Sequence, residues 1–197
     1  MAIIGGPRSG KTFLAQKLSK YYGAELIIEW DEKLWPERIK EDISKNIRPL
    51  ERILWFRNKM VNQYMTALDK KSTGASVVLD TFWLSIWPYI ELVQDEFERE
   101  ILRTLLETDK KMLPWPDITI LLEQSEKGIR EFIAEGGREF DTSNEFIVEQ
   151  ALPLNALHRD LFKTISGSKN IIHINREDLD FDKESDFAQL IQKLEKD

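Results

Sequence analysis

The segment that most narrows what this chain can fold into is Gly5-Gly6-Pro7-Arg8-Ser9-Gly10-Lys11-Thr12, directly after the apolar run Ala2-Ile3-Ile4. It fits the spacing G-x-x-x-x-G-K-[ST], in the context that gives this spacing a physical meaning: a strand ends and a helix begins. Glycines let the backbone curl so that successive N–H groups point inward and form an anion cradle. A helix begun near Lys11 adds its positive end at the same point. Lys11 can reach the β- and γ-phosphates of a nucleotide, and the Thr12 hydroxyl can ligate Mg²⁺. Gly5–Thr12 is therefore read as a binding loop for the phosphates of ATP or a similar nucleotide, and the chain behind it must be α/β.

The remaining pattern agrees. Short apolar, β-branched runs at Ala2–Ile4, Ala24–Glu29, Ser76–Asp80, Ile118–Glu123 and Asn170–Ile174 read as strands. Helical periodicity fills 11–21, 32–70 with a break around Pro49, 84–108, 143–165 with a break at Pro153, and 183–195. This alternation predicts a mainly parallel sheet with helices on both faces. The first strand is very short, so it is expected in the middle of the sheet. No repeat, low-complexity stretch or linker divides the 197 residues, which read as a single domain, 1–197. The stretch Gln124–Thr142 stands apart, with Gly136-Gly137 between Arg130 and Arg138. It reads as a lid over a site, against the plainer alternative of a solvent loop.

Composition removes several classes of function. The formal charge is −7 and no run of Lys and Arg occurs, which argues against nucleic acid as the main partner. Without cysteine there is no disulfide, thiolate nucleophile or Cys-zinc site, and two histidines cannot build a three-His metal site. No apolar run reaches a membrane span. With Met-Ala-Ile-Ile-Gly-Gly at the start, the expectation is no signal peptide and a cytoplasmic protein.

Three further positions carry candidate chemistry. Val77-Val78-Leu79-Asp80 reads as a buried strand ending in an acid, the place of a Mg²⁺-organising aspartate; a strand-end turn is the alternative. Glu29 closes Leu26-Ile27-Ile28, where a carboxylate can accept the proton of an attacking hydroxyl, or merely end a strand. Arg57 interrupts the apolar stripe Leu50, Leu54, Val61, Tyr64, Leu68. A desolvated guanidinium needs an anion, so Arg57 is expected to meet Asp80, Glu29 or an anionic ligand, unless it snorkels out of the core. Phe82, Trp83, Trp87 and Tyr89 either stack on a nucleobase or, more simply, fill the core.

Taken together these residues resemble the deoxynucleoside kinase and thymidylate kinase group of P-loop kinases. The resemblance implies a five-stranded parallel sheet in the order 2-3-1-4-5, with ATP and Mg²⁺ as cofactors. It implies Glu29 in Ile-Ile-Glu-Trp as catalytic base, Arg57 near the reacting region, and Arg130 and Arg138 as lid arginines. Leu157-His158 then belongs to the helix after the lid, and Asn175–Phe181 to a loop that contacts adenine. One departure is Asp80-Thr81-Phe82, where the group carries an arginine after the acid. A second resemblance, to nicotinamide riboside kinases, rests on Ile3-Ile4-Gly5-Gly6 through Lys11, on Leu79-Asp80-Thr81 and on Ile120-Leu121-Leu122-Glu123.

The sequence thus leads to an ATP-dependent phosphotransferase acting on a nucleoside or nucleotide. The proposed site comprises Gly5, Gly6, Pro7, Arg8, Ser9, Gly10, Lys11 and Thr12 for phosphates, and Thr12 and Asp80 for Mg²⁺. Glu29, Lys11, Arg57, Arg130 and Arg138 are its catalytic residues. A homodimer is left open. Other readings are a nicotinamide riboside kinase-like enzyme, a nucleotide-binding ATPase or switch acting on a protein partner, and a degenerate kinase that binds without reacting, as Thr81 suggests. A guanine-reading Asn-Lys-x-Asp is absent.

Overall fold

The structure, a computed structural model, describes residues 1–29, 31–134, 145–165 and 170–195, with side chains omitted at 132–134 and 145–151. Five strands form one all-parallel sheet: β1 (Ala2–Gly5), β2 (Glu25–Ile27), β3 (Val77–Leu79), β4 (Thr119–Glu123) and β5 (Ile171–Asn175). Their order is β2-β3-β1-β4-β5, as the resemblance implied. β1 lies centrally, with Ala2 opposite both Leu79 and Thr119. All four of its residues are buried. That explains a strand with no polar side chain: both faces are covered.

Because side chains alternate along a strand, β1 feeds two cores. Ile3 joins Val78, Ile120, Leu122, Ile172 and Ile174 on one face. That face is covered by α1 (Lys11–Tyr22), through Leu14, Ala15 and Leu18, and by the C-terminal helix α8 (Glu184–Leu194), through Phe187, Leu190 and Ile191. Ala2 and Ile4 face the other core, beneath α3 (Pro49–Ser72), α4 (Trp87–Glu91), α5 (Glu96–Met112) and α7 (Glu145–Ile165). α2 (Glu37–Ser44) precedes α3, and α6 (Glu126–Ala134) follows β4. None of the described helices is long and apolar enough to cross a membrane.

The helical stretches are more divided than periodicity predicted, except at one proline. The run expected over 32–70 begins with a 3₁₀ turn at Glu32–Leu34 and pauses between α2 and α3. At this pause Arg48 adopts φ 49° and its guanidinium bonds the buried Asp42, with Nε at 2.9 Å, while Pro49 opens α3. The run expected over 84–108 is cut by 92–95, because the Asp95 carboxylate accepts from the Glu98 N–H at 2.9 Å and starts a new helix. The break expected at Pro153 does not occur: α7 runs through it. Leu154, His158 and Phe162 are buried on that helix, and packing of such a face outweighs the local cost of proline.

Candidate active site

The phosphate loop, the ends of β2 and β3 and the middle of α7 meet at the carboxyl edge of the sheet, where ligands of open α/β folds bind. Gly10 has φ 86° and hands the chain directly to α1, so Lys11 begins a helix whose free N–H groups face the loop. Ser9 Oγ and Lys11 Nζ both donate to the Gly6 carbonyl, each at 3.0 Å. The loop is thus closed on itself, with the lysine held over it.

Thr12 Oγ1 donates to Asp80 Oδ2 at 2.7 Å. Asp80 is 1% exposed, and its other oxygen is buried with no hydrogen-bond partner among the described residues. A desolvated carboxylate with one free oxygen is costly unless a cation meets it. The hydroxyl and carboxylate oxygens are also the hard donors that Mg²⁺ takes. Thr12 and Asp80 therefore fit the ion expected there.

Glu29 leaves the strand next to that of Asp80. Ile27 is opposite Leu79, and the Asp80 N–H bonds the Ile27 carbonyl at 3.0 Å, so Glu29 follows one residue beyond the level of Asp80. Gln63 Nε2 of α3 holds the Ile28 carbonyl at 2.7 Å, fixing the backbone that carries Glu29. Trp35, Trp55, Phe56, Lys59, Met60 and Gln63 line a small hollow with Glu29. The three rings pack edge to face, with centroids 4.9–6.3 Å apart.

Arg57 requires a correction. Its anion is neither Asp80 nor Glu29 but Asp109 of α5, bonded through Nε at 2.8 Å and through Nη2, while Nη1 reaches Asn58 Oδ1 at 2.9 Å. Asp109 follows Leu102 and Leu106 on the buried stripe of α5, just as Arg57 interrupts that of α3. The complementary acid was legible in the same periodicity and was missed. The hydrogen bond to Asp109 raises the arginine's pKa further, so the guanidinium stays charged.

The other expected residues separate. Phe82 and Trp83 are fully buried among Tyr64 and Trp115, so they fill the core. Trp87 packs on Phe162, with Lys110 above its ring, and Tyr89 lies at the surface against His158. Thr81, where the resembling kinases carry arginine, donates to Ser85 Oγ at 2.8 Å in the buried segment after β3. Arg130 sits on the outer face of α6, bonded to Glu126 at 2.7 Å. Arg138 and the Gly136-Gly137 pair lie outside the described residues, as do positions 135–142 of the expected lid. In the loop after β5, the Arg176 guanidinium lies 4.2 Å from the Phe181 ring centre and beside Gly10, which places Asn175–Phe181 against the phosphate loop.

Two contributors came from α7. Asn155 donates to the Pro7 carbonyl at 3.1 Å. His158, one turn on, is 2% exposed, its Nδ1 2.9 Å from the Leu154 carbonyl and its ring stacked on Phe162. Burial, with the Lys11 ammonium acting in the same direction, pushes its pKa down to about 3, so the ring is neutral. Polar residues inside an apolar helix face were the signal available for both.

Residues 1–141 match the family described as AAA domain. No curated protein matches the sequence. Among solved structures, deoxyadenosine kinase from M. mycoides with bound dCTP superposes at a TM-score of 0.75, with 18% identity and 100% of both chains covered. The same enzyme with bound dATP gives 0.73 and 19%, covering 98% of this chain and 97% of that one. With products dCMP and a flexible dCDP it gives 0.74 and 18%, covering 100% and 98%. The likeness establishes a shared fold, and the chain belongs to the AAA domain family.

Proposed function

We propose that this AAA domain family member transfers the γ-phosphoryl group of ATP to the hydroxyl of a nucleoside or to the phosphate of a nucleoside monophosphate. The observation that carries the reading is the buried Asp80, bonded to Thr12 of the phosphate loop and keeping one oxygen unpartnered among the described residues, with Glu29 following the adjacent strand. Phosphoryl transfer is mostly positioning and charge neutralisation, and these residues supply both. The full-length likeness to deoxyadenosine kinases bound to nucleotides supports a nucleoside-type acceptor.

In this mechanism the loop N–H groups and Lys11 hold the β- and γ-phosphates. Mg²⁺ bound at Thr12 and Asp80 would neutralise charge on those phosphates. With a nucleoside acceptor, Glu29 takes the proton from the hydroxyl as the hydroxyl oxygen bonds to the γ-phosphorus; the bond to the β–γ bridging oxygen breaks and ADP leaves. Arg130 and Arg138, from the segment 124–142, would add positive charge when that segment closes. Arg57 serves by tying α3, which holds the backbone before Glu29, to α5.

ADP release across deoxynucleosides, ribonucleosides, their monophosphates, nicotinamide riboside and no acceptor tests the proposal. The expected result is release that depends on one nucleoside-type acceptor and falls ~10³-fold or more in Lys11→Ala. Equal release without any acceptor would replace the kinase with an ATPase acting on a protein partner. Tight ATP binding with no release in any arm would favour a non-reacting binder.

A further inference from the structure

Glycines in a phosphate loop are ordinarily explained by backbone freedom, and Gly5 and Gly10, at φ 153° and 86°, fit that account. Gly6 does not, because it is not among the residues with positive φ. What occupies the place of a side chain there is a neighbour. A Cβ on Gly6 would stand 2.2 Å from Asn155 Cγ, 2.3 Å from its Oδ1 and 2.4 Å from its Nδ2, inside the distance any real contact allows. The Asn155 carboxamide fills that place and donates to the next carbonyl, Pro7 O, at 3.1 Å. Asn155 is 8% exposed and belongs to α7, remote in sequence from the loop. The Gly6 carbonyl already receives Ser9 and Lys11, so with Asn155 two consecutive carbonyls of the loop, Gly6 and Pro7, are held by side-chain donors. The Pro7 carbonyl shares its peptide plane with the Arg8 N–H, so holding that carbonyl sets the direction of one N–H of the anion-binding loop.

We propose that Asn155 is a positioning residue for the phosphate loop: α7 locks the loop in its anion-binding shape through a carboxamide seated on Gly6, and Gly6 is glycine to admit it. This rests on the reading that Gly5–Thr12 binds nucleotide phosphates. Asn155 acts through the loop, not on the reacting atoms. One turn on, the neutral His158 is packed between Tyr89 and Phe162, which keeps that stretch of α7 at a set depth.

The test is a reciprocal double-mutant cycle read by calorimetric binding of ATP, by the KM for ATP against kcat, and by unfolding of the free proteins. Gly6→Ala should weaken ATP binding at least ~30-fold, since the methyl displaces the carboxamide and the loop with it. Asn155→Ala should weaken it ~10-fold, the scale of an orphaned buried acceptor, raising the KM for ATP with little change in that for the acceptor. Gly6→Ala with Asn155→Ala should bind within a few-fold of Asn155→Ala alone, because truncation removes all three clashing atoms. If Gly6→Ala fails to fold while the double variant folds, the same clash is demonstrated. Gly6→Ala binding like the parent, or a double variant as weak or as unfolded as Gly6→Ala, would overturn the proposal. So would Asn155→Ala with an unchanged KM for ATP. A parent protein that binds no nucleoside triphosphate would instead remove the phosphate-loop reading itself.

Discussion

Replacing Arg57 by Met removes one charge of the Arg57–Asp109 pair and leaves the volume of the α3–α5 contact almost unchanged. The Asp109 side chain is 5% exposed and that of Arg57 is 22%. Asp109 would keep its burial and lose the Nε and Nη2 donors together. Breaking a buried pair from one side costs about 3–5 kcal/mol, and the partial exposure of Arg57 points to the lower end. At about 2–4 °C per kcal/mol for a chain of this length, Tm should fall by roughly 6–12 °C. Arg57→Met combined with Asp109→Leu removes both charges, and its stability should return to within about 1 kcal/mol of the parent. Urea unfolding of the parent, both single variants and the double variant completes the cycle, with a coupling of at least ~2 kcal/mol expected. Arg57→Met within ~1 kcal/mol of the parent, or a double variant no more stable than Arg57→Met, would refute the reasoning. The restored double variant then serves for kinetics, where turnover within a few-fold of the parent is expected. A stable double variant slowed ~10²-fold or more would return Arg57 to the acceptor site.

Glu29→Gln should keep Mg-ATP affinity and lose turnover ~10²-fold or more, whereas Asp80→Asn should shift the Mg²⁺ dependence to higher concentration; normal turnover by both across a Mg²⁺ series would show the site is misassigned. His158 gives a pH signature: its folded pKa, about 3, lies below the ~6.5 of an unfolded histidine, so the unfolded chain binds the extra proton. Its contribution is complete above pH 6.5 and is lost as pH falls toward 3, at about 1.4 kcal/mol per pH unit. Urea midpoints between pH 7 and 5 should therefore fall more steeply for the parent than for His158→Gln, and parallel curves would count against a buried neutral ring.

The fold was legible where local chemistry decides it. That Gly5–Thr12 would turn and open a helix was readable locally, because its glycine spacing and the following periodicity act over a few residues. The alternation of strands and helices, the central place of β1 and the acid closing β3 were readable in the same way. Sheet order came from resemblance, since no local rule ranks parallel neighbours. Partner choice belonged to the tertiary structure alone. Thr12 reaches Asp80 across 68 positions, Arg57 reaches Asp109 across 52, and Asn155 reaches Pro7 across 148. Periodicity could say that a buried arginine or carboxylate needs an opposite charge, but not which helix would bring it. Pro153 makes the same point from the other side, since a residue that stops isolated helices was carried within α7 by the burial of Leu154, His158 and Phe162. Short-range sterics act within the sequence, whereas the pairing of buried polar groups is settled by which faces the apolar cores press together.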